Sequence, residues 1–317
     1  MTTPDQSQPA SKQTFPHLLK RSTLFISPYR VERLFSKNDI PPNAFYTRLG
    51  QAAEVIFGQA CKDLKFPVKT LSTAMMLVQH YCLFNGNNVL STNLEITSTC
   101  LLIASKIEDT PKKSKDIIAC LYHGFKYSPT KLEEIRIHVL HLERAVLETL
   151  GFDFRQTSPQ YYVIKISKDL RLKKEVAKLA WDISIDAFSS LVYLYIPTHT
   201  VALASIVLAA KLSKDESIFP LNSESFESTR YKTNLALLEF LELYLNRPSN
   251  ILRLVADEKY KDVYYDIFVP FKDDISRAIE NFQISHRVDK NGRSSELAIR
   301  SSKLSNDGAV RYVLGWD

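Results

Sequence analysis

Glycine is scarce, with 8 residues in 317. That scarcity excludes collagen-like sequence and argues against glycine-rich phosphate loops and turn-dense all-β folds, all of which need glycine's freedom at positive φ. The four cysteines, Cys61, Cys82, Cys100 and Cys120, form no C-x-x-C pair, which removes zinc ribbons and redox motifs. Three of them sit in apolar helical stretches and read as small core side chains. The longest nearly apolar run, Val201 to Ala210, is far short of the about 18 residues a membrane span needs. Met1 to Ala10 is polar and lacks the apolar stretch of a secretory signal. A soluble, intracellular, disulfide-free protein is expected. Phosphate-loop, nucleophile-elbow, zincin and kinase H-R-D and D-F-G motifs are also missing, so no catalytic residue, cofactor site or metal site is assigned. His138 and His141, three apart, lack the H-E-x-x-H pattern and an evident third ligand.

What remains is a chain long enough for two domains. Apolar residues make up 45% and charged residues 24%, the balance of a globular protein. The net charge of +6 is too small to imply nucleic acid as the main partner. Lys112-Lys113-Ser114-Lys115 and Arg171-Leu172-Lys173-Lys174 are the densest basic clusters; they read as solvated faces, with an acidic partner or nuclear import as the alternatives.

Residues 1–27 are rich in Ser, Thr, Gln, Pro and Lys and are expected to form a mobile arm. From residue 28 to about 246 the helical period dominates, interrupted by proline-bearing turns. Ser27 and Pro28 open a short helix over 28–37. Further helices are predicted over 43–64, 67–84, 92–106 and 114–122, the third of these opened by the capping box Thr92-x-x-Glu95. A fifth, capped by Ser128 and ending before Gly151, carries Leu132, Ile135, Val139, Leu142, Val146 and Leu150 on one stripe. The helix through Cys100 is apolar or small on all sides, so neighbours must bury it all round. A second copy follows: Ser158-Pro159 opens a helix, 173–190 forms another, and 197–212 repeats the buried rod. Cys100-Leu-Leu-Ile-Ala-Ser-Lys106 and Ser205-Ile-Val-Leu-Ala-Ala-Lys211 lie 105 residues apart, Lys106 against Lys211. Tyr264 to Gln283 reads as a partner-binding helix or an extra cap on the second core.

Leu101-Leu-Ile-Ala-Ser-Lys-Ile-Glu-Asp-Thr-Pro-Lys-Lys-Ser-Lys-Asp-Ile-Ile118 resembles the heart of the cyclin box, and its run from Lys106 to Lys113 resembles the transcriptional cyclins, cyclin K especially. His141-Leu-Glu-Arg-Ala-Val-Leu-Glu-Thr-Leu-Gly-Phe-Asp-Phe154 is similar to its closing helix, and Gly308-Ala-Val-Arg-Tyr-Val-Leu314 resembles the ending of fungal beta subunits of the kinase acting on the C-terminal domain of RNA polymerase II. The resemblance implies an all-α fold of two tandem five-helix cyclin-box domains with N- and C-terminal extensions: an arm 1–27, a first box 28–155, a second repeat 156–250 and an extension 251–317. It implies no catalysis by the chain. The expected role is a nuclear regulatory subunit that binds and activates a cyclin-dependent kinase, with the polymerase tail as substrate of the complex and transcription elongation as the process promoted. A third subunit of the complex is a further partner left open; no membrane and no direct nucleic-acid binding are expected.

The same resemblance places the kinase contact on Lys106 and Glu143, with Ile103, Ile107, Leu147 and Phe152 as the apolar surround. From periodicity alone Lys106 is an ordinary helix-end cation and Glu143 one carboxylate among several. The Tyr46-Thr-Arg-Leu-Gly-Gln51 stretch departs from the apolar docking patch of cell-cycle cyclins, which fits the transcriptional branch. The competing functions are a promoter-binding factor of the transcription factor IIB type and a helical scaffold without a kinase. The first is disfavoured because it normally carries an N-terminal zinc ribbon and a strongly basic core.

Overall fold

A computed structural model of the chain describes residues 25–26, 28–86, 93–155, 157–254, 264–286, 300–301 and 311–312. Helix α1 (Pro28–Lys37) turns Val31, Leu34 and Phe35 inward, spaced three and four apart. Phe35 meets the rings of Phe45 and Tyr46 at 5.1 and 6.4 Å. After the Pro41-Pro42 break, α2 (Pro42–Ala53) opens with proline in its first turn, where a missing N–H costs nothing. The sequence predicts one regular helix onward to 64. Instead the chain continues through a π-helical stretch, Glu54–Ala60, to a last turn at Cys61–Asp63. The wider turn buries Ile56, Phe57 and Ala60 while Gln59 Nε2 donates to the Cys120 carbonyl at 2.5 Å.

Four helices complete the first set: α3 (Val68–Asn85), α4 (Asn93–Ile107), α5 (Ser114–Leu121) and α6 (Pro129–Thr149). The central rod is α4, with every residue from Ile96 to Ser105 buried. It packs against α2, α3, α5 and α6. Its buried hydroxyls bond back along the helix, Ser98 to the Leu94 carbonyl at 2.7 Å and Thr99 to Glu95 at 2.8 Å, so they carry no unpaired polar group into the core. Ser128 caps α6 as expected, its Oγ accepting from the Lys131 N–H at 3.2 Å. Ser27, Thr92 and the tail 313–317 lie outside the described residues, as do most of 1–27. The described end of that arm is docked: Ile26 is buried and its N–H donates to the Leu194 carbonyl at 2.7 Å.

The second set is α7 (Pro159–Asp169), α8 (Lys174–Asp186), α9 (Thr198–Leu212) and α10 (Arg230–Asn246). Short 3-10 turns at Glu216–Ile218 and Ser223–Phe226 stand between α9 and α10, where the first set has α5. Ser158 does not cap α7; its Oγ donates to Gln160 Oε1 at 2.6 Å. The repeat extends into the backbone. Asp109 and Lys214, 105 residues apart, are both left-handed (φ 56° and 52°). The following N–H groups close the same bond, Thr110 to Ser105 and Asp215 to Ala210, each 2.9 Å. Between the sets, Gln79 Nε2 donates to the Phe188 and Ser190 carbonyls and Phe57 stacks on Phe188. A final helix, α11 (Tyr264–His286), lies along α10, and Arg300–Ser301 pairs antiparallel with Arg311–Tyr312.

Candidate functional site

Lys106 ends α4 and Glu143 sits two turns before the end of α6, and the two helices cross where these side chains meet. Lys106 Nζ lies 2.5 Å from Glu143 Oε1, with the side chains 53% and 22% exposed. A pair this wet contributes about 0–1 kcal/mol to stability. Its chemical capacity is larger: the ammonium keeps two N–H donors and the carboxylate one oxygen for groups outside the chain. The pairing holds both ends in place before any partner arrives, which limits the rotamer freedom lost on binding.

The rest of the predicted surround separates by depth. Ile107 and Leu147 are half-buried against the core. Phe152 is 60% exposed and left-handed (φ 58°), directly after left-handed Gly151. Its N–H closes on the Leu147 carbonyl at 3.2 Å and that of Gly151 on Glu148 at 3.1 Å, the bond pattern that terminates a helix and satisfies its last carbonyls. A non-glycine residue held in this conformation stores strain of about 1 kcal/mol or more. Ile103 offers no exposed area to a contact: it is 2% exposed, inside the core with the rest of the α4 rod. The sequence reading leaves out Phe154, 41% exposed beyond Phe152. The Phe-x-Phe pattern just after the helix end is the signal that would have found it. Between them the Asp153 carboxylate holds Arg155, Nη2 to Oδ2 2.5 Å, and that side-chain hydrogen bond keeps the Asp153 carboxyl below its usual range.

His138 and His141 do not make a ligand set. His138 Nδ1 lies 2.7 Å from Glu95 Oε2, tying α6 to the start of α4, and no metal-type cluster occurs among the described residues. The cysteines are free; burial pushes the Cys82 thiol up to about 12, which keeps it protonated and inert.

The corresponding surface of the second repeat is flanked by the chain's own final helix, with Lys211 itself exposed. Lys211, the counterpart of Lys106, has its ammonium 5.2 Å from the Phe219 ring and 5.7 Å from the ring of Phe271 on α11. Of the two glutamates on α10, Glu242 pairs with Lys272 of α11 at 2.6 Å, while Glu239 bonds Tyr195 beside Arg247. Phe268 stacks on Tyr244 and Phe282 on Tyr231. Tyr264–Gln283 is thus the cap on the second core that the sequence allowed.

The profile of the cyclin N-terminal domain matches residues 53–155. The CTD kinase subunit beta of Schizosaccharomyces pombe is 33% identical over 240 residues, covering 72% of this chain and 69% of that protein. The CTD kinase subunit beta of Saccharomyces cerevisiae is 30% identical, covering 74% and 73%. Among solved structures, a chain of the yeast RNA Pol II CTD kinase CTDK-1 complex superposes with a TM-score of 0.68 at 25% identity, covering 77% of this chain and 83% of that one.

Proposed function

This chain belongs to the cyclins, in the group of the CTD kinase beta subunits, and from that premise we propose that it is the regulatory subunit of a kinase phosphorylating the C-terminal domain of RNA polymerase II, acting in the nucleus to promote transcription elongation. The chain performs no chemistry of its own. It binds the catalytic subunit's active arrangement better than the inactive one and shifts the population toward it. Lys106 and Glu143 engage backbone groups of the kinase's regulatory helix and the loop before it, and Ile107, Leu147, Phe152 and Phe154 exclude water around them.

The observation that carries this reading is the contrast between the repeats: exposed Lys106 pairs with Glu143 across two helices, whereas Lys211, also exposed, stands beside the Phe219 and Phe271 rings of its own chain. The working division of the chain is an arm 1–27, a first box 28–155, a second repeat 156–250 and an extension 251–317. Reconstitution with the catalytic subunit, reading phosphorylation of a polymerase-tail peptide, tests the function: activation on adding the chain supports it, and a kinase equally active without the chain removes it. A promoter complex co-purifying in place of a kinase would favour the transcription factor IIB-type alternative.

A further inference from the structure

We propose that Ser128 is a phosphorylation site for a proline-directed kinase, and, resting on the function proposed above, for the kinase this chain activates. Five hydroxyl residues precede a proline: Thr3, Ser27, Thr110, Ser128 and Ser158. Three of them also have a cation three positions on, Arg30 after Ser27, Lys113 after Thr110 and Lys131 after Ser128. Proline-directed kinases read this pattern because proline presents no N–H at the next position and the later cation pairs with phosphate or carboxylate near the active site. Sequence alone does not choose among the sites.

The structure discriminates the three that it describes. Ser158 is buried, with its hydroxyl spent on Gln160 at 2.6 Å. Thr110 is anchored at the end of α4: its N–H is bonded to Ser105 at 2.9 Å and its hydroxyl to that of Thr70 at 3.0 Å. Ser128, Pro129, Thr130 and Lys131 are all exposed, and Ser128 is already extended (φ −67°, ψ 156°). Its Oγ makes only 3.2 Å contacts, to the Lys131 N–H and the Thr130 hydroxyl. A kinase needs its acceptor strand extended, so the first turn of α6 must be drawn out. That turn contributes only half-buried Leu132 to the core, the first fully buried side chain in α6 being Ile135, and helix ends of this kind open locally at small cost.

In the transfer, Ser128 Oγ attacks the γ-phosphorus of kinase-bound ATP. The Oγ–P bond forms as the bond to the β,γ-bridging oxygen breaks, ADP leaves, and the hydroxyl proton passes to the kinase's catalytic base. The product phosphate stands beside the first-turn N–H groups of α6, close in sequence to exposed Lys126 and Lys131, a placement that favours negative charge.

The test incubates the full chain with its catalytic subunit and ATP, maps phosphopeptides and follows a polymerase-tail peptide in the same tube. Phosphate at Ser128, none at Thr110 or Ser158, at least a tenfold loss of that label in Ser128→Ala, and retention as phosphothreonine in the cap-preserving Ser128→Thr are the expected results. A phosphorylated tail with Ser128 unlabelled overturns the proposal and leaves the function standing. An unmodified tail removes the functional reading instead; the chain is then offered to an independent active proline-directed kinase, and an unlabelled Ser128 there removes the site as well.

Discussion

Phe152 holds a large apolar ring in solvent on a backbone conformation that disfavours any side chain. Strain and exposure both act against stability, and the proposed kinase contact would bury the ring. Phe152→Gly separates the two roles. Glycine relieves the left-handed strain, offset in part by a more flexible unfolded chain, so the melting temperature should hold or rise slightly. Kinase affinity should fall about tenfold or more, the value of a buried aromatic ring. Equal affinity in a folded variant, measured by titration against the catalytic subunit, would remove Phe152 from the interface. Residues of this kind were half legible. Lys106 and Glu143 stood out through a motif, whereas their 2.5 Å approach depends on how α4 and α6 cross, which no local pattern encodes. Ile103 was misplaced for the same reason: a rod buried all round has no face that the sequence marks as outward.

Between the helix sets runs a strap, Arg247 to Leu254, that periodicity could not find because it has none. Asn250 Nδ2 donates to the Tyr46 carbonyl at 2.8 Å, and the Arg247 guanidinium lies 3.5 Å from the Tyr46 ring centre. Gly50 is required here: a Cβ would meet Asn250 Oδ1 at 2.5 Å. Gly50→Ala should therefore destabilise the chain despite alanine's higher helix propensity, by about 1–3 kcal/mol, readable by urea denaturation; a stabilised variant would show that the strap yields freely. The strap's far end is clamped by Asp186, whose carboxylate accepts the N–H groups of Leu252, Arg253 and Leu254 at 2.9, 2.7 and 3.0 Å. Burial raises this carboxyl to about 6, against the lowering pull of those amides and the Tyr244 hydroxyl. The folded chain thus holds the proton more tightly than the unfolded chain between about pH 4 and 6. Within that window Asp186 makes stability fall as pH rises, by up to about 1.4 kcal/mol per unit, and the loss is complete above the folded value. Denaturation midpoints of wild type and Asp186→Asn across pH 4–7 should differ in slope by this amount; parallel profiles would mean that the clamp does not titrate there.

At the scale of the whole molecule, the duplication was legible as two small-residue rods 105 residues apart, and the structure extends it to matching left-handed caps at Asp109 and Lys214. The asymmetry was legible only in part, since Ser213-Lys214 replaces Glu108-Asp109. The approach of Phe271 to exposed Lys211 joins residues distant in sequence and has no local signature. The ring contacts of Lys211 with Phe219 and Phe271, worth about 0.5–1 kcal/mol each at exposed sites, make Lys211→Ala a modest stability change rather than a silent one. The central claim is that one repeat docks the kinase while the other is flanked by its own final helix and does not, and side-by-side activation assays of Lys106→Ala and Lys211→Ala test it most directly. Losing one partner of a desolvated charge contact costs about 2–5 kcal/mol, so Lys106→Ala should lose tens to thousands of fold in kinase affinity and most activation, while Lys211→Ala activates like wild type. Equal losses in two variants that remain folded by circular dichroism would contradict the single-surface account.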